Sequence, residues 1–229
     1  VRNEITTLSK AKLALESQNY AEDISTWADS VLQEMTIYKS MAEQIGLEKA
    51  ETYKMMDTSA GTHSAYPYGL YLGDDQGNYY DSSGWIPGDD FVVTERDWYQ
   101  EGLGHDAFAF GEPYVDAMTG GTCVSVTARL STGPAVSVLA ADVYLDYAAQ
   151  LAKEITATEI ENAFFVTREN RMIVAASTPA LVGSILSAEM DSVLYQNISG
   201  LLDANVIGQT EVPGDNGSTY FVNINLIEN

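Results

Sequence analysis

The feature that most constrains this fold is a long N-terminal stretch without proline. Between Ile5 and Met56 there is no proline, and Gly46 is the only glycine. Apolar residues recur there at steps of three, four and seven positions, as in an amphipathic helix: Ile24, Trp27, Val31, Met35, Tyr38 and Ile45. The sequence therefore predicts a helix longer than is usual in globular proteins. Such a helix is either a scaffold for other units or half of a coiled coil with a second copy, and the spacing leaves both open.

After Thr58 the composition shifts to glycine, tyrosine, aspartate and serine, and apolar–polar alternation replaces the helical pattern. Alternation interrupted by turn residues predicts a hairpin and then a three-stranded antiparallel meander, with a short helix at Arg96–Gly102 between them. The predicted strands are Tyr68–Leu72, Asn78–Tyr80, Ala107–Tyr114, Thr122–Leu130 and Ala135–Val143.

The last third of the chain repeats this order more weakly. Its predicted elements are a helix at Tyr144–Ile160, a hairpin of Phe164–Thr167 with Met172–Ala176, a helix at Ser184–Leu202, and a hairpin of Gln209–Val212 with Thr219–Ile227. We therefore predict an α+β fold in three segments: a scaffold or dimer helix at 1–57, a first lobe at 58–150 and a second lobe at 151–229.

The charge balance narrows the range of partners. Acidic residues number 33 against 11 basic ones, which gives a formal net charge of −22. Such a surface repels the phosphates of nucleic acids and the headgroups of anionic lipids. We therefore expect no nucleic-acid partner.

Cysteine and histidine are too few for common structural sites. Cys123 is the single cysteine, so the chain has no internal disulfide, and neither an HExxH nor a CxxC pattern occurs. We predict no metal site. No run approaches the roughly 20 apolar residues that span a bilayer, and the chain starts at Val1 without a signal peptide. We interpret it as an ectodomain fragment of a membrane-anchored parent.

Five short motifs follow one another in the first lobe. They are Gly84-Trp85-Ile86-Pro87, Phe91, Arg96-Asp97-Trp98-Tyr99, Gly111-Glu112-Pro113-Tyr114-Val115-Asp116 and Asp142. In this order they resemble the membrane-distal lobe of double Cache (dCache) sensor domains, in particular the amino-acid-binding subgroup. The motifs cover residues 84–142, and the order of elements extends the resemblance to nearly the whole chain.

The resemblance implies two PAS-like (Cache) lobes with antiparallel sheets behind the long helix. It also implies a sensor domain on the extracellular or periplasmic face of the bacterial membrane, with no enzymatic activity and no cofactor. The parent would be a chemoreceptor, a histidine kinase or a cyclic-dinucleotide enzyme. Its partners would be a small amino-acid-like ligand in the distal lobe and, through the N-terminal helix, a second copy. An amine, a carboxylate or a nucleobase remains an alternative ligand.

The subgroup's ligand contacts can be carried over residue by residue. Arg96 and Trp98 would hold the ligand carboxylate with help from Tyr114, since a guanidinium offers two parallel N–H donors. The ligand ammonium would face a second set of residues: Tyr99, Asp116 and Asp142. Carboxylates and aromatic faces both attract a cation.

One position departs from the subgroup. Phe91 stands where its leading tyrosine is found, which keeps an aromatic wall but removes a hydroxyl. The departure weakens the case for an ordinary α-amino acid and leaves amines open. Three of these residues also have a structural interpretation: Trp98 and Tyr99 as core aromatics, and Asp116 as the start of a turn.

Two other classes of function compete with a sensor. Glu112 with Asp116, or Asp89 with Asp90, would suit a carboxylate-pair hydrolase, although so many acidic residues make chance pairs common. A surface adhesion module would suit the long helix and the acidity. An adhesion module, however, gives no reason for the combination of Arg96 with Asp116 and Asp142.

Overall fold

The computed structural model describes residues 2–116, 118–120, 122–156, 162–168 and 170–227. The chain divides into two compact units. The first lobe comprises residues 28–145, and the second lobe comprises residues 1–27 and 146–229. The long N-terminal helix contributes to both units, and its role as a separate scaffold at 1–57 stays a prediction.

The predicted helix is present but is divided in two. Helix α1 runs from Arg2 to Ile45, and α2 runs from Ala50 to Asp57. Gly46 ends α1 with a φ of +100°, a backbone conformation that residues with a Cβ rarely adopt. The hydroxyl of Thr52 donates to the Gly46 carbonyl over 2.7 Å and fixes the start of α2. A single helix as far as Met56 was therefore the wrong prediction.

The first lobe is built on one five-stranded antiparallel sheet with the order β2-β1-β5-β4-β3. Its strands are β1 (Leu70–Asp74), β2 (Tyr79–Asp81), β3 (Ala109–Val115), β4 (Thr122–Arg129) and β5 (Ser137–Tyr144). The predicted hairpin and meander are confirmed. Strand β5, the last strand of the meander, also pairs with β1 and so joins the meander to the hairpin. Because β5 pairs on both edges, its mostly apolar sequence is nearly all buried.

Helix α3 (Asp97–Gly102) covers one face of this sheet. Its Trp98 and Tyr99 join Tyr71, Val93 and Val138 in a buried cluster. Each of these large side chains stabilises the lobe by about 1.5–3 kcal/mol through burial.

The second lobe contains two separate antiparallel hairpins. Its elements are α4 (Asp146–Thr156), β6 (Phe164–Val166), β7 (Ile173–Ala176), α5 (Val193–Asp203), β8 (Gly208–Pro213) and β9 (Thr219–Ile224). Leu194 and Ile198 of α5 pack against Ile173 and Val212. The α+β class predicted from the sequence is confirmed by this arrangement.

The predicted boundaries of the two later helices need comment. The helix predicted at Ser184–Leu202 begins nine residues later, at Val193, and Ile185 within the predicted range forms a β-bridge with Met172. The end of the helix predicted at Tyr144–Ile160 lies outside the described residues, which stop at Thr156 there. Among the described helices, none combines the length and apolarity needed to span a membrane.

Candidate ligand site in the first lobe

A small cavity of about 40 Å³ lies within the first lobe, beside the carboxyl end of β5. Aromatic and acidic residues dominate its lining: Tyr68, Gly69, Tyr71, Tyr79, Asp81, Trp85, Phe91, Trp98, Tyr114, Asp116, Met118 and Asp142. Among the described residues no basic side chain lines it. The three carboxylates and the surrounding rings give the cavity an environment that attracts cations.

Asp142 is a half-buried carboxylate of the cavity, near the carboxyl end of β5. Tyr71 donates to its Oδ1 over 2.5 Å, and Tyr114 donates to the same oxygen. Burial is the largest influence on Asp142 and raises its pKa to about 6, although the two tyrosine hydrogen bonds act in the opposite direction. The negative charge of Asp116 adds to the rise. A cationic ligand group would relieve both effects.

Asp116 has the two roles that the sequence left open. Its carboxylate accepts from the backbone N–H groups of Met118 and Thr119 over 3.0 and 2.9 Å, so it organises a turn. It also accepts from the hydroxyl of Tyr144 over 2.8 Å, and it lines the cavity. Burial alone would raise the pKa of Asp116, but the Thr119 hydroxyl, which also donates to this carboxylate, and these other donors outweigh burial and lower the pKa. Asp116 is therefore a fixed negative charge.

A cluster of aromatic rings forms part of the cavity lining. The Tyr79 ring centroid lies 5.1 Å from that of Phe91 and 6.0 Å from that of Trp85. The ring of Trp98 meets Tyr71 edge-on at 4.8 Å. Such a group of rings resembles the aromatic cages that hold substituted ammonium groups.

Close packing against a glycine positions Trp98. A methyl group on Gly73 would lie 2.7 Å from Trp98 Cη2 and would also collide with Val93. Trp98 therefore reaches β1 only because residue 73 has no side chain. Trp98 is 4 % exposed and contributes both to the core and to the cavity lining.

Two predicted site residues lie outside the lining. The hydroxyl of Tyr99 donates to the Val136 carbonyl over 2.8 Å, and its side chain is buried in the core. Arg96 precedes α3, and its guanidinium carbon lies 5.0 Å from the Phe91 ring centroid. The buried Nε of Arg96 has no hydrogen-bond partner among the described residues. Arg96 thus lies next to Phe91 of the cavity lining, and its Nε–H donor is available to a ligand.

The structure brings together five of the seven predicted positions in the cavity lining: Phe91, Trp98, Tyr114, Asp116 and Asp142. Tyr71, whose hydroxyl donates to Asp142, was missed, and so were Asp81 and Tyr79 of β2. Both point to one face of β2 because they are two residues apart, and Asp81 pairs directly with Tyr71 of β1. The alternation in this hairpin could have identified them once its register was known.

The described residues contain no group of three or more histidine, cysteine, aspartate or glutamate side chains placed to hold a metal ion. The cavity carboxylates instead accept hydrogen bonds from tyrosine, threonine and backbone donors.

With this geometry established, the chain can be assigned to a class. It belongs to the methyl-accepting chemotaxis protein-like family of first PDC sensor domains, whose family model matches residues 28–150, just over half of the chain. The matched segment contains the whole cavity. The chain is thus a sensor domain of the chemotaxis-receptor type, and the resemblance to dCache sensors is confirmed.

A curated relative supports the same assignment. The chain is 34 % identical over 97 residues to the methyl-accepting chemotaxis protein TlpB of Bacillus subtilis (strain 168). This alignment covers 41 % of the chain and only 14 % of TlpB.

Solved structures share the fold over nearly the whole chain. The ligand-binding domain of the Pseudomonas fluorescens chemoreceptor CtaA, in complex with L-isoleucine, matches with a TM-score of 0.74 at 22 % identity, over 100 % of this chain and 90 % of that one. The ligand-binding domain of Mlp24 with asparagine matches with a TM-score of 0.76 at 18 % identity, over 99 % of this chain and 90 % of that one. The ligand-binding domain of the amino-acid chemoreceptor PctC from Pseudomonas aeruginosa PAO1, in complex with GABA, matches with a TM-score of 0.74 at 18 % identity. The match covers 96 % of this chain and 94 % of that one.

Proposed function

We propose that the first lobe binds a small ligand bearing an ammonium group, an amino acid or an amine, as the sensing step of a transmembrane chemotaxis-type receptor. The observation that carries this proposal is the cavity chemistry. Three carboxylates, Asp81, Asp116 and Asp142, share a small space with aromatic rings and with no described basic side chain. A cation is the ligand group that neutralises this excess charge.

A carboxylate on the ligand would be held by Arg96. Its buried Nε–H lacks a partner among the described residues, and an unsatisfied buried donor costs about 1–3 kcal/mol. A ligand carboxylate that reaches past Phe91 would satisfy it. The related structures support amino acids as the ligand class, because those ligand-binding domains are in complex with L-isoleucine, asparagine and GABA.

Ligand entry requires the cavity to widen. Its volume of about 40 Å³ is far below the roughly 300–1,000 Å³ of typical ligand pockets. The segment that carries Trp85 and Phe91 forms one wall, and Ile86 within it is 86 % exposed. We infer that this segment moves outward to admit the ligand and closes over it. A signal follows only if the ligand binds one of these arrangements more tightly than the other.

The parent protein is proposed to be anchored in the membrane with this domain outside the cell or in the periplasm. We also infer a homodimer through α1. Leu8 and Leu15 lie seven residues apart on this helix and are 72 % and 61 % exposed, the spacing of a coiled-coil seam. Leu15→Glu should therefore lower the dimer fraction in light scattering, and an unchanged mass would contradict this interface.

A ligand panel with matched charge variants tests the proposed site. Amino acids and amines are titrated calorimetrically into the wild type, Asp142→Asn, and the control Asp203→Asn, an exposed carboxylate of the second lobe. A charge-assisted hydrogen bond contributes about 1.5–3 kcal/mol, so Asp142→Asn should lower affinity by at least about tenfold. Asp203→Asn should have no effect. Equal affinities of all three proteins for the bound ligand would contradict the proposal.

A second variant separates the two ligand classes. If the ligand is an amino acid, Arg96→Ala should weaken it at least about tenfold while the corresponding decarboxylated amine is unaffected. If the natural ligand is an amine, Arg96→Ala should leave its affinity unchanged.

A further inference from the structure

Asp81 is a carboxylate of the first-lobe cavity that belongs to none of the five sequence motifs. It lies in β2, an edge strand of the sheet. The hydroxyl of Tyr79 donates to its Oδ2 over 2.8 Å, and the N–H and hydroxyl of Ser83 donate to its Oδ1 over 2.8 and 2.6 Å. A carboxylate has about four acceptor positions. Asp81 therefore keeps its charge and an acceptor position on Oδ2.

No cation among the described residues balances the carboxylates of this cavity. None of the salt bridges found there includes Asp81, Asp116 or Asp142. The donors that hold these three side chains are hydroxyl and backbone N–H groups, which orient a carboxylate without removing its charge. The negative charge of Asp81 adds to the rise in the pKa of Asp142, so the carboxylates repel one another. A ligand with a single ammonium group would leave most of this charge unbalanced.

The register of the sheet separates Asp81 from Asp142. Asp81 pairs with Tyr71 of β1, and Tyr71 pairs with Ala140 of β5, two residues before Asp142. Directly paired residues, and residues two apart on one strand, point to the same face of a sheet. With strands about 4.8 Å apart and a rise of about 3.4 Å per residue, the two Cα atoms are roughly 12 Å apart. Because strand side chains stand nearly perpendicular to the sheet, one ammonium group cannot contact both carboxylates.

Aromatic rings occupy the interval between these carboxylates. Tyr71 lies on the strand between β2 and β5, and its ring centroid is 6.1 Å from that of Tyr79 and 4.8 Å from that of Trp98. All three rings line the cavity. Their faces offer apolar surface to methylene groups and attract a cation at either end.

We propose that Asp81 selects ligands that carry two cationic nitrogen groups joined by a short aliphatic chain. The first group binds Asp116 and Asp142, the second binds Asp81, and the chain lies along the rings. This inference rests on the proposed function, since it takes the first-lobe cavity as the ligand site. Diamines and basic amino acids share this chemistry, and a basic amino acid would in addition direct its carboxylate to Arg96.

Pairs of ligands that differ only in the second nitrogen test the selection. Diaminobutane is compared with butylamine, and lysine with norleucine, by calorimetric titration at pH 8, where Asp142 is ionised. A second charge-assisted hydrogen bond should make the dicationic member of at least one pair bind at least about tenfold more tightly. Preference for diaminobutane alone identifies a diamine as the ligand class, and preference for lysine alone identifies a basic amino acid.

The variant Asp81→Asn assigns this preference to one side chain. It keeps an oxygen acceptor for Ser83 and removes the charge, so it should lower affinity for the dicationic ligand at least about tenfold and reduce the preference towards one. Binding of the monocationic partner also reports that the variant is folded. The control Asp89→Asn removes an exposed carboxylate outside the lining and should leave both affinities nearly unchanged.

Failure of this inference is distinguishable from failure of the proposed site. Equal affinities within both ligand pairs, or an undiminished preference in Asp81→Asn, would overturn the role of Asp81. If Asp142→Asn still weakened butylamine or norleucine, the ammonium site itself would stand. Absence of binding by all four compounds would overturn both proposals.

Discussion

The two lobes share an order of elements but differ in what their cavities can bind. The first lobe has a continuous five-stranded sheet and a cavity of about 40 Å³ with three carboxylates in its lining. The second lobe has a groove of about 820 Å³ whose lining includes one carboxylate, that of Glu16. The larger space differs in charge as well, because its described lining combines apolar residues with four basic ones, Lys10, Lys12, Arg168 and Arg171. The charge in the lining of the smaller cavity is therefore our reason for proposing the ligand site in the first lobe, although the second lobe has the larger space.

The difference lies in what stands between the hairpins. In the first lobe β5 fills the centre of the sheet and carries Asp142 near its carboxyl end, where Tyr71 and Tyr114 hold it. The described part of the second lobe has no strand in that place. In the first lobe the central strand thus pairs with both hairpins and also carries the carboxylate that we propose contacts the ligand.

The largest expected effect concerns the core of the first lobe. Trp98→Ala removes a large buried aromatic and should destabilise the first lobe by about 3–5 kcal/mol. Trp85 reports this lobe in denaturation, and Trp27, whose ring centroid lies 5.5 Å from that of Tyr147, reports the second lobe. We expect the Trp85 transition to shift to lower denaturant while the Trp27 transition stays. A loss below about 1 kcal/mol would show that Trp98 is not a core residue.

A pair of identical substitutions sharpens the contrast between the lobes. Gly73→Ala places a methyl group against Trp98 and Val93, so it should destabilise the first lobe by about 1–3 kcal/mol. Gly200 lies inside α5 with nothing within 4 Å of an added methyl group. Gly200→Ala should therefore stabilise the second lobe by about 0.5–1 kcal/mol. Thermal unfolding of each variant gives the sign, and equal signs would refute the packing argument.

The sequence predicts the elements whose signals are local. Alternation and turn residues identified every strand of the first lobe, because side chains on a strand alternate faces irrespective of distant contacts. The start of α5 depends instead on Asp215, which accepts from Ser192 Oγ over 2.7 Å and from Val193 N–H over 2.8 Å. A cap from so far along the chain leaves no pattern near residue 193.

The candidate site shows the same limit. Asp142 ends an apolar run, so its need for a partner is visible in the sequence. Tyr99 was grouped with Trp98 by the motif, yet adjacent residues on a helix point in different directions and only Trp98 reaches the cavity. Asp81 enters the site through its pairing with Tyr71, and that register is a tertiary property. The sequence motifs therefore predicted which lobe contains the cavity, whereas only the three-dimensional structure shows which side chains line it.

The pH dependence of binding provides a smaller effect with a definite sign. The pKa of Asp142 is raised to about 6, so its negative charge is present above that pH and is lost as the pH falls through it. Affinity for an ammonium ligand should thus fall below about pH 6, by at most about tenfold per unit for one proton. The free first lobe should change oppositely, since a raised carboxyl pKa stabilises the folded state at low pH and that stability is lost as the pH rises through 6.

Melting temperatures at pH 5 to 8, with and without ligand, measure both trends. Asp142→Asn should flatten this dependence in the first lobe. If the melting temperature of the second lobe changed with pH around the same midpoint, Asp142 would be excluded as the source of the pH dependence.

The smallest expected effect comes from a single hydroxyl. Tyr114→Phe removes one of the two tyrosine donors to Asp142 and keeps the ring. Because that hydrogen bond lowers the pKa of Asp142, its loss should raise the pKa above about 6 and move the midpoint of ligand binding to higher pH. Tyr220→Phe in the second lobe is the matched control and should leave the midpoint in place. An unchanged midpoint in Tyr114→Phe would mean that the hydrogen bond from Tyr71 alone sets the pKa of Asp142. The charge of Asp142 would then depend on β1, which carries Tyr71, and not on β3, which carries Tyr114.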